Sequence, residues 1–197
     1  MVQCPSLVNG VDLDSAFQFT RQWNFNLAAS YSNGHLTGSS IPCSPPSGGT
    51  TTAAFPPGTH IFLCPSHASV SQAPNLTVTP SSEYDYPVPI INGANAFLRG
   101  LYTFYGRNPH ASLFYVTPSY GILDLYAGLR SADGAWEAAL FAKNALNAQK
   151  ILSTSLGNPA IASSSLATTF GSSGYYNVAL TPRQQFGVTA TYSFGSR

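Results

Sequence analysis

The feature that most constrains the fold of this chain is a hydrophobic pattern with a period of two. In YGILDLYAGLR (Tyr120–Arg130), small and aliphatic side chains alternate with Tyr, Ile, Asp and Arg. AWEAALFAKN (Ala135–Asn144) repeats the alternation, and Asp133-Gly134 between the two segments is typical of a hairpin turn. Because successive side chains of a strand leave opposite faces, this pattern predicts two antiparallel β-strands.

The same alternation recurs in five further segments, so the pattern belongs to the whole chain. These segments are Gly10–Phe19, Trp23–Ser32, Asn75–Tyr86, Asn95–Tyr105 and Gln185–Phe194. The seven predicted strands are about nine to twelve residues long, which is the length that a tilted strand needs to cross a bilayer.

The connections between these strands alternate in length. Turns at Thr20–Gln22, Pro87–Gly93 and Ser131–Gly134 are short or moderate. The segments Asn33–Pro74, Gly106–Ser119 and Ala145–Arg183 are longer and lack sustained periodicity. Short periplasmic turns and long extracellular loops are typical of outer-membrane barrels, so we expect the short turns on the periplasmic rim and the long, irregular loops outside.

Charged residues are scarce, and the alternation places them together. They make up 8% of the chain, against roughly 25% in ordinary soluble domains. No apolar run approaches the ~18 residues of a membrane-spanning helix. An Arg or Lys that faces lipid costs roughly 2–4 kcal/mol at mid-bilayer, and less near the interface. We therefore predict a lumen-facing position for the charges on the polar faces of the strands: Asp12, Asp14, Glu83, Asp85, Arg99, Asp124, Arg130 and Glu137.

Aromatic residues gather where the strands meet the short turns. The set is Phe19, Trp23, Tyr84, Tyr86, Trp136 and Phe194. Such a set is typical of an interfacial girdle, which a soluble sheet with one wet face does not explain. The sequence therefore predicts an all-β fold, an antiparallel up-and-down transmembrane β-barrel segment of about seven strands, incomplete as a barrel and carrying long extracellular loops.

Two stretches resemble a known family. DGAWEAALFAKNALNAQK (Asp133–Lys150) is similar to the D-G-x-W-E-x-x-L-F-x-K-N-L segment of TonB-dependent outer-membrane receptors. TPRQQFGVTATYSF (Thr181–Phe194) resembles their closing P-R-x-x-G-V-x-x-x-Y-x-F strand. The positions that match are Trp136, Phe141, Lys143, Asn144, Pro182, Arg183, Gly187, Val188, Tyr192 and Phe194.

The resemblance implies that residues 1–197 form the C-terminal part of a receptor barrel, in the outer membrane of a Gram-negative bacterium. That family imports scarce nutrients such as iron–siderophore complexes, haem, cobalamin or oligosaccharides. Its 22-stranded barrel works with an N-terminal plug and a TonB box, both absent from this sequence. The implied partners are outer-membrane lipid, the TonB complex through that plug, and the barrel-assembly machinery through the C-terminal strand.

The alternative function is a passive porin-like or adhesin-like outer-membrane barrel. We do not predict an enzyme or a cofactor, since the sequence has neither a phosphate-binding Gly loop nor a G-x-S-x-G motif. The net charge of +1 and scattered basic residues give no electrostatic argument for nucleic acid. The identity of the transported ligand stays open. MVQCPSLVNG at the N-terminus lacks the pattern of a signal peptide, so we expect the chain to be a fragment.

Cys43 and Cys64 enclose a segment rich in Pro, Gly, Ser and Thr, which favours a disulfide within one extracellular loop. Two reduced thiols in the same loop are the alternative, and Cys4 is left over. His60, Cys64 and His67 are close enough in sequence to suggest a metal site. We do not predict a metal there, because a disulfide consumes the thiolate that a metal needs.

Overall fold

The computed structural model describes residues 5–37, 39–43, 62–66, 69–89, 93–110, 115–156 and 176–194. Within these ranges every regular element is a β-strand. The strands are β1 (Ser6–Gln18), β2 (Trp23–Leu36), β3 (Ser39–Cys43), β4 (Phe62–Ser66), β5 (Leu76–Pro87), β6 (Ala94–Tyr105), β7 (Tyr120–Ser131), β8 (Trp136–Lys143), β9 (Ile151–Leu156), β10 (Tyr176–Leu180) and β11 (Gln185–Tyr192). In the described ranges no helix has the length and apolar character needed to span a membrane.

Seven of these strands form one antiparallel sheet in the order β1-β2-β5-β6-β7-β8-β11. Neighbours in this sheet follow one another along the chain, apart from two inserted hairpins, so the topology is up-and-down. In the described structure β1 pairs only with β2, and β11 only with β8, which leaves the sheet unclosed. The predicted fold class is confirmed: an all-β, up-and-down barrel segment of seven strands.

The inserted hairpins correct part of the sequence prediction. The sequence predicts an irregular loop over Asn33–Pro74, but β2 continues to Leu36 and β3 pairs with β4 within this segment. Ala145–Arg183 likewise contains the hairpin of β9 and β10. The inserted strands are five residues long, except β9, which has six. In addition, β3 and β4 each contain a proline, which removes a backbone hydrogen-bond donor. Such short segments show too few alternations for a period of two to be recognised.

The register divides the sheet into two faces of opposite chemistry. One cross-strand row consists of Gln18, Asn24, Glu83, Arg99, Tyr126, Phe141 and Gly187. A row on the opposite face consists of Trp23, Tyr84, Leu98, Ala127, Leu140 and Val188. We call the first the charged face, since all eight predicted lumen-facing residues share it, and the second the apolar face.

Burial is inverted relative to a globular protein. On the apolar face Phe186 and Val188 are each 71% exposed, and Leu140 is 63% exposed. Among the described residues the buried apolar side chains are Ala94, Phe97 and Ala139. An exposed apolar surface of this extent is unfavourable in water and favourable against lipid. The sheet therefore has the distribution of a membrane strand layer rather than that of a packed core.

The short connections all lie on one rim, which we call the turn rim; the opposite one is the loop rim. Gly93 and Gly134 adopt positive φ of 74° and 69°, a region that favours glycine. In the β7–β8 turn the Gly134 N–H donates to the Ser131 carbonyl at 3.0 Å, and the Ala135 N–H donates to Asp133 Oδ1 at 3.0 Å. These bonds fix the register of the hairpin.

We expect the turn rim to face the periplasm. In intact cells that express the complete gene, a cysteine that replaces Gly134 should therefore resist a membrane-impermeant thiol reagent, whereas a cysteine that replaces the exposed Arg107 on the loop rim should react. The three native cysteines are replaced by serine in both variants. Labelling of both sites after the outer membrane is permeabilised serves as the control, and the opposite labelling on intact cells would contradict the orientation.

Candidate functional site

An ion-pair cluster centred on Glu83 lies on the charged face, near the turn rim. The side chain of Glu83 is 18% exposed and accepts from two guanidinium groups. Arg99 Nε, on the neighbouring strand β6, donates to Glu83 Oε2. Arg130 Nη2, two strands away on β7, donates to Glu83 Oε1 over 2.6 Å. One carboxylate thus connects three strands of the sheet.

Arg130 is surrounded by further groups of the same cluster. Its Nε lies 3.8 Å from Asp85 Oδ1 and 3.7 Å from Glu137 Oε2. Its Cζ lies 4.3 Å from the ring centroid of Phe97, and Arg99 Cζ lies 5.4 Å from the same centroid. Phe97 is 4% exposed because the two guanidinium groups cover it. The apolar ring desolvates the cations, and that strengthens their attraction to the carboxylates.

The cluster is not fully satisfied by the described residues. Asp85 Oδ1 and Arg130 Nε are buried and lack a hydrogen-bond partner there. Their separation of 3.8 Å allows Coulomb attraction but is too long for a hydrogen bond. Three carboxylates face two guanidinium groups, which leaves one negative charge. A groove of about 500 Å³ beside the cluster, lined by Arg21, Gln22, Asp85, Asn95 and Arg130 among others, gives access to it.

Replacing Glu83 with Gln is expected to lower the free energy of unfolding by about 2–3 kcal/mol, because two partly buried guanidinium groups lose their shared anion. Outer-membrane preparations would be heated to find the temperature at which the folded, heat-modifiable form is lost. Glu137→Gln is the matched control, since the one ion pair of Glu137 among the described residues is with Arg130, at 3.7 Å. Equal losses for the two variants would contradict a central role for Glu83.

The structure does not bring the other three predicted lumen-facing residues into this cluster. Asp124 Oδ1 instead accepts from the backbone N–H of Asn144 at 2.8 Å. Asp12 and Asp14 have no charged partner among the described residues. They line a groove of about 350 Å³ with Ser30, Thr77 and Thr79. The strand register shows that all eight residues share one face of the sheet. That this face borders a lumen stays a prediction.

Phe141 and Gly187, both matched in the family motifs, form a cross-strand pair between β8 and β11. The Phe141 ring lies across Gly187, and a Cβ added to that glycine would approach Phe141 Cζ to 2.4 Å. Lys143 Nζ lies 5.4 Å from the same ring, and Trp136 pairs with Tyr192 farther along the same two strands. The motif residues thus fit together across one strand pair; their predicted role in barrel closure is not tested by this geometry.

Among the described residues of the loop rim, Asn144 has the most buried side chain, at 1% exposure, and it has a positive φ of 47°. Its Nδ2 donates to the carbonyls of Ala148 at 3.1 Å and Pro182 at 2.7 Å, and its Oδ1 accepts from the Ala148 N–H at 2.9 Å. This side chain therefore ties the end of β8 to the segment that enters β11. Of the remaining motif positions, Arg183 lies in that entering segment and Phe194 follows β11, where it packs edge-on against Tyr192.

An aromatic pair on the charged face was not singled out from the sequence. Tyr105 ends β6, Tyr120 begins β7, and the register places them opposite each other at the loop rim. Their rings stack with centroids 4.8 Å apart and an interplanar angle of 23°. Matching the two strands across Gly106–Ser119 would have revealed the pair, but the length of that loop left the register open.

The cysteine and metal predictions lie largely outside the described residues. The β3–β4 register places Cys43 opposite Phe62 and Cys64 opposite Ile41, but the cysteine side chains are not described, so the disulfide stays a prediction. His60 and His67 fall outside the described ranges. Within those ranges no group of three or more His, Cys, Asp or Glu residues is arranged to hold a metal ion.

The chain is similar in structure to the ferric yersiniabactin uptake receptor of Yersinia pestis. The TM-score is 0.63 at 10% sequence identity, over 96% of this chain and 24% of that receptor. The chain thus spans about a quarter of the receptor's length, and at this identity the likeness shows the fold alone. No protein-family model and no curated protein sequence matches the chain.

Proposed function

We propose that this chain is the C-terminal barrel portion of a TonB-energised outer-membrane receptor that imports a scarce nutrient. The observation that carries the proposal is the unclosed, seven-stranded up-and-down sheet with an exposed apolar face. A sheet of this kind is stable only when lipid covers the apolar face and further strands complete the barrel. The structural likeness to part of an uptake receptor supports the same assignment.

The chemistry of the charged face supports its assignment to the lumen. Glu83 pairs with both Arg99 and Arg130 on one face, and such charged groups are costly against lipid but readily accommodated in a polar lumen. The cluster lies near the turn rim, which we assign to the periplasmic side. A plug segment encoded outside this chain would contact it there and would connect the barrel to the TonB complex.

The resemblance of the two closing motifs to those of TonB-dependent receptors favours a receptor over a simple pore. In the described structure β11 pairs only with β8, so it would present its other edge to the strand that completes the barrel. That edge is also the feature through which the barrel-assembly machinery would engage the C-terminal strand. The membrane partner is outer-membrane lipid along the apolar face.

The experiment that tests this function is uptake by cells carrying the complete gene, including the coding sequence upstream of Met1. Growth on limiting nutrient would be compared between the deletion strain and its complemented derivative, each with and without TonB. Ferric chelates, haem, cobalamin and oligosaccharides are supplied in turn. Saturable uptake of one of them that requires both genes supports the proposal. Uptake that is independent of TonB and rises linearly with concentration would identify a passive porin-like barrel instead.

A further inference from the structure

Two rows of the charged face toward the loop rim have a chemistry different from that of the Glu83 cluster. One row across five strands consists of Asp12, Ser30, Thr77, Tyr105 and Tyr120. The adjacent positions on the same face are Asp14, Ala28, Thr79, Thr103 and Ile122. Stacked phenol rings, hydroxyl groups and two free carboxylates therefore share one surface. With strands about 4.8 Å apart, the row is about 19 Å wide.

The aromatic end of this surface is held by hydrogen bonds of the loop rim. The Gly106 N–H donates to the Leu76 carbonyl at 2.8 Å, immediately after Tyr105. Asn108 and Thr117 exchange backbone hydrogen bonds of 2.8 and 3.0 Å, which draw together the two ends of the loop between the tyrosines. Asn108 Nδ2 also donates to the Gln72 carbonyl at 2.6 Å. The stacked pair is thus fixed in position before a ligand arrives, which reduces the entropic cost of binding.

Cations are absent from these two rows as described. Arg99, six residues from Tyr105 on β6, is about 20 Å away by the strand rise, and it is paired with Glu83. Lys143 on β8 lies about 13 Å farther from the loop rim than Tyr120. Ferric catecholates and haem carry negative charge, and their recognition calls for arginine or lysine donors. Arg107 follows Tyr105 by two residues, but it is exposed and lies beyond the end of β6, outside the two rows. Asp12 and Asp14 would repel anionic ligands, so the two rows are suited to a ligand without negative charge.

We propose that the surface around Tyr105 and Tyr120 is a binding subsite for an uncharged oligosaccharide. Sugar rings present an apolar face that stacks on aromatic rings, and hydroxyl groups around it that bond to Ser, Thr and carboxylate oxygens. Tyr105 and Tyr120 supply the stacking platform; Asp12, Asp14 and Thr77 supply acceptors along the groove. The inference rests on the proposed function, since it names the substrate class of that receptor.

The test uses the complete receptor purified from outer membranes in detergent. Calorimetric titrations with maltohexaose, xylohexaose and chitohexaose are compared with a titration of a ferric triscatecholate. At least one hexasaccharide should bind. Tyr105→Ala and Tyr120→Ala should each weaken its affinity by about tenfold, whereas Tyr105→Phe and Tyr120→Phe preserve the stacking and should retain most of it.

Two matched variants serve as controls. Phe104→Ala removes an aromatic ring from the opposite face of the same strand, and Arg107→Gln removes the cation nearest in sequence to the pair; both should leave hexasaccharide affinity unchanged. The inference is overturned if no hexasaccharide binds, if binding is insensitive to both tyrosine variants, or if the triscatecholate binds and is weakened by Arg107→Gln. If the inference is overturned but another ligand is taken up in a TonB-dependent manner, the proposed receptor function still stands. If a hexasaccharide binds as expected but is not taken up in a TonB-dependent manner, the receptor function is refuted and the binding subsite is not.

Discussion

Replacement of Asn144 with alanine is expected to lower the free energy of unfolding by about 3 kcal/mol or more and to loosen the loop rim. The substitution leaves the Ala148 N–H and the Pro182 carbonyl without the amide that now satisfies them, while Thr181 Oγ1 still donates to the Ala148 carbonyl. Each buried polar group left unpaired costs about 1–3 kcal/mol. Alanine also tolerates the positive φ of this position less well than asparagine does.

Asn147 provides a matched control for this prediction. It has a similar φ, 49°, but within the part of the chain that the structure describes its side chain accepts a hydrogen bond only from the exposed Gln149. Asn147→Ala therefore carries the same backbone penalty without the loss of buried hydrogen bonds. Protease sensitivity of the segment around Pro182 and the temperature at which the heat-modifiable form is lost would be measured for both variants. Equal effects would show that backbone strain, and not the amide network, is what Asn144 contributes.

The seven main strands could be predicted from the sequence because each is long enough for several alternations, and the strands that carry charges keep them on one face. Asp12 and Asp14 on β1, or Leu123 and Leu125 on β7, repeat at a spacing of two within a single uninterrupted segment. The β3–β4 and β9–β10 hairpins could not be predicted, because Pro42 and Pro65 and runs of small polar residues obscure so short a pattern.

Only those features of the candidate site that depend on a single strand could be predicted from the sequence. The face of Glu83 and Arg99 follows from the pattern of each strand. The contact of Glu83 with Arg130 depends on the registers of three strands taken together, and a shift by one residue in either pairing would place Arg130 on the other face. The Tyr105–Tyr120 stack likewise depends on the register between two strands. Asn144 could not be predicted either, because its partners lie beyond a turn and on a segment far along the chain.

This chain expressed alone is expected to neither insert as a monomer nor form a pore. Its edge strands β1 and β11 both run from the loop rim to the turn rim, because they are the first and seventh strands of an up-and-down sheet. If β1 paired with β11 of the same chain, two parallel strands would lie side by side. The same would happen if either edge strand paired with an edge strand of another copy that is inserted in the same direction. An antiparallel barrel therefore needs an odd number of further strands, consistent with the even strand numbers of bacterial outer-membrane barrels.

Without those strands each edge leaves a row of backbone N–H and C=O groups unpaired. In lipid each unsatisfied group costs several kcal/mol, and in water such an edge promotes aggregation. Phe186 and Val188 on β11, already 71% exposed, would also lack a neighbour on one side. Expression of residues 1–197 alone with an added export signal should give aggregates or degradation products in fractionated cells, whereas the complete gene gives a heat-modifiable band. A discrete heat-modifiable monomer of the isolated chain that conducts ions in a planar bilayer would contradict both the edge argument and the assignment of this chain as part of a larger barrel.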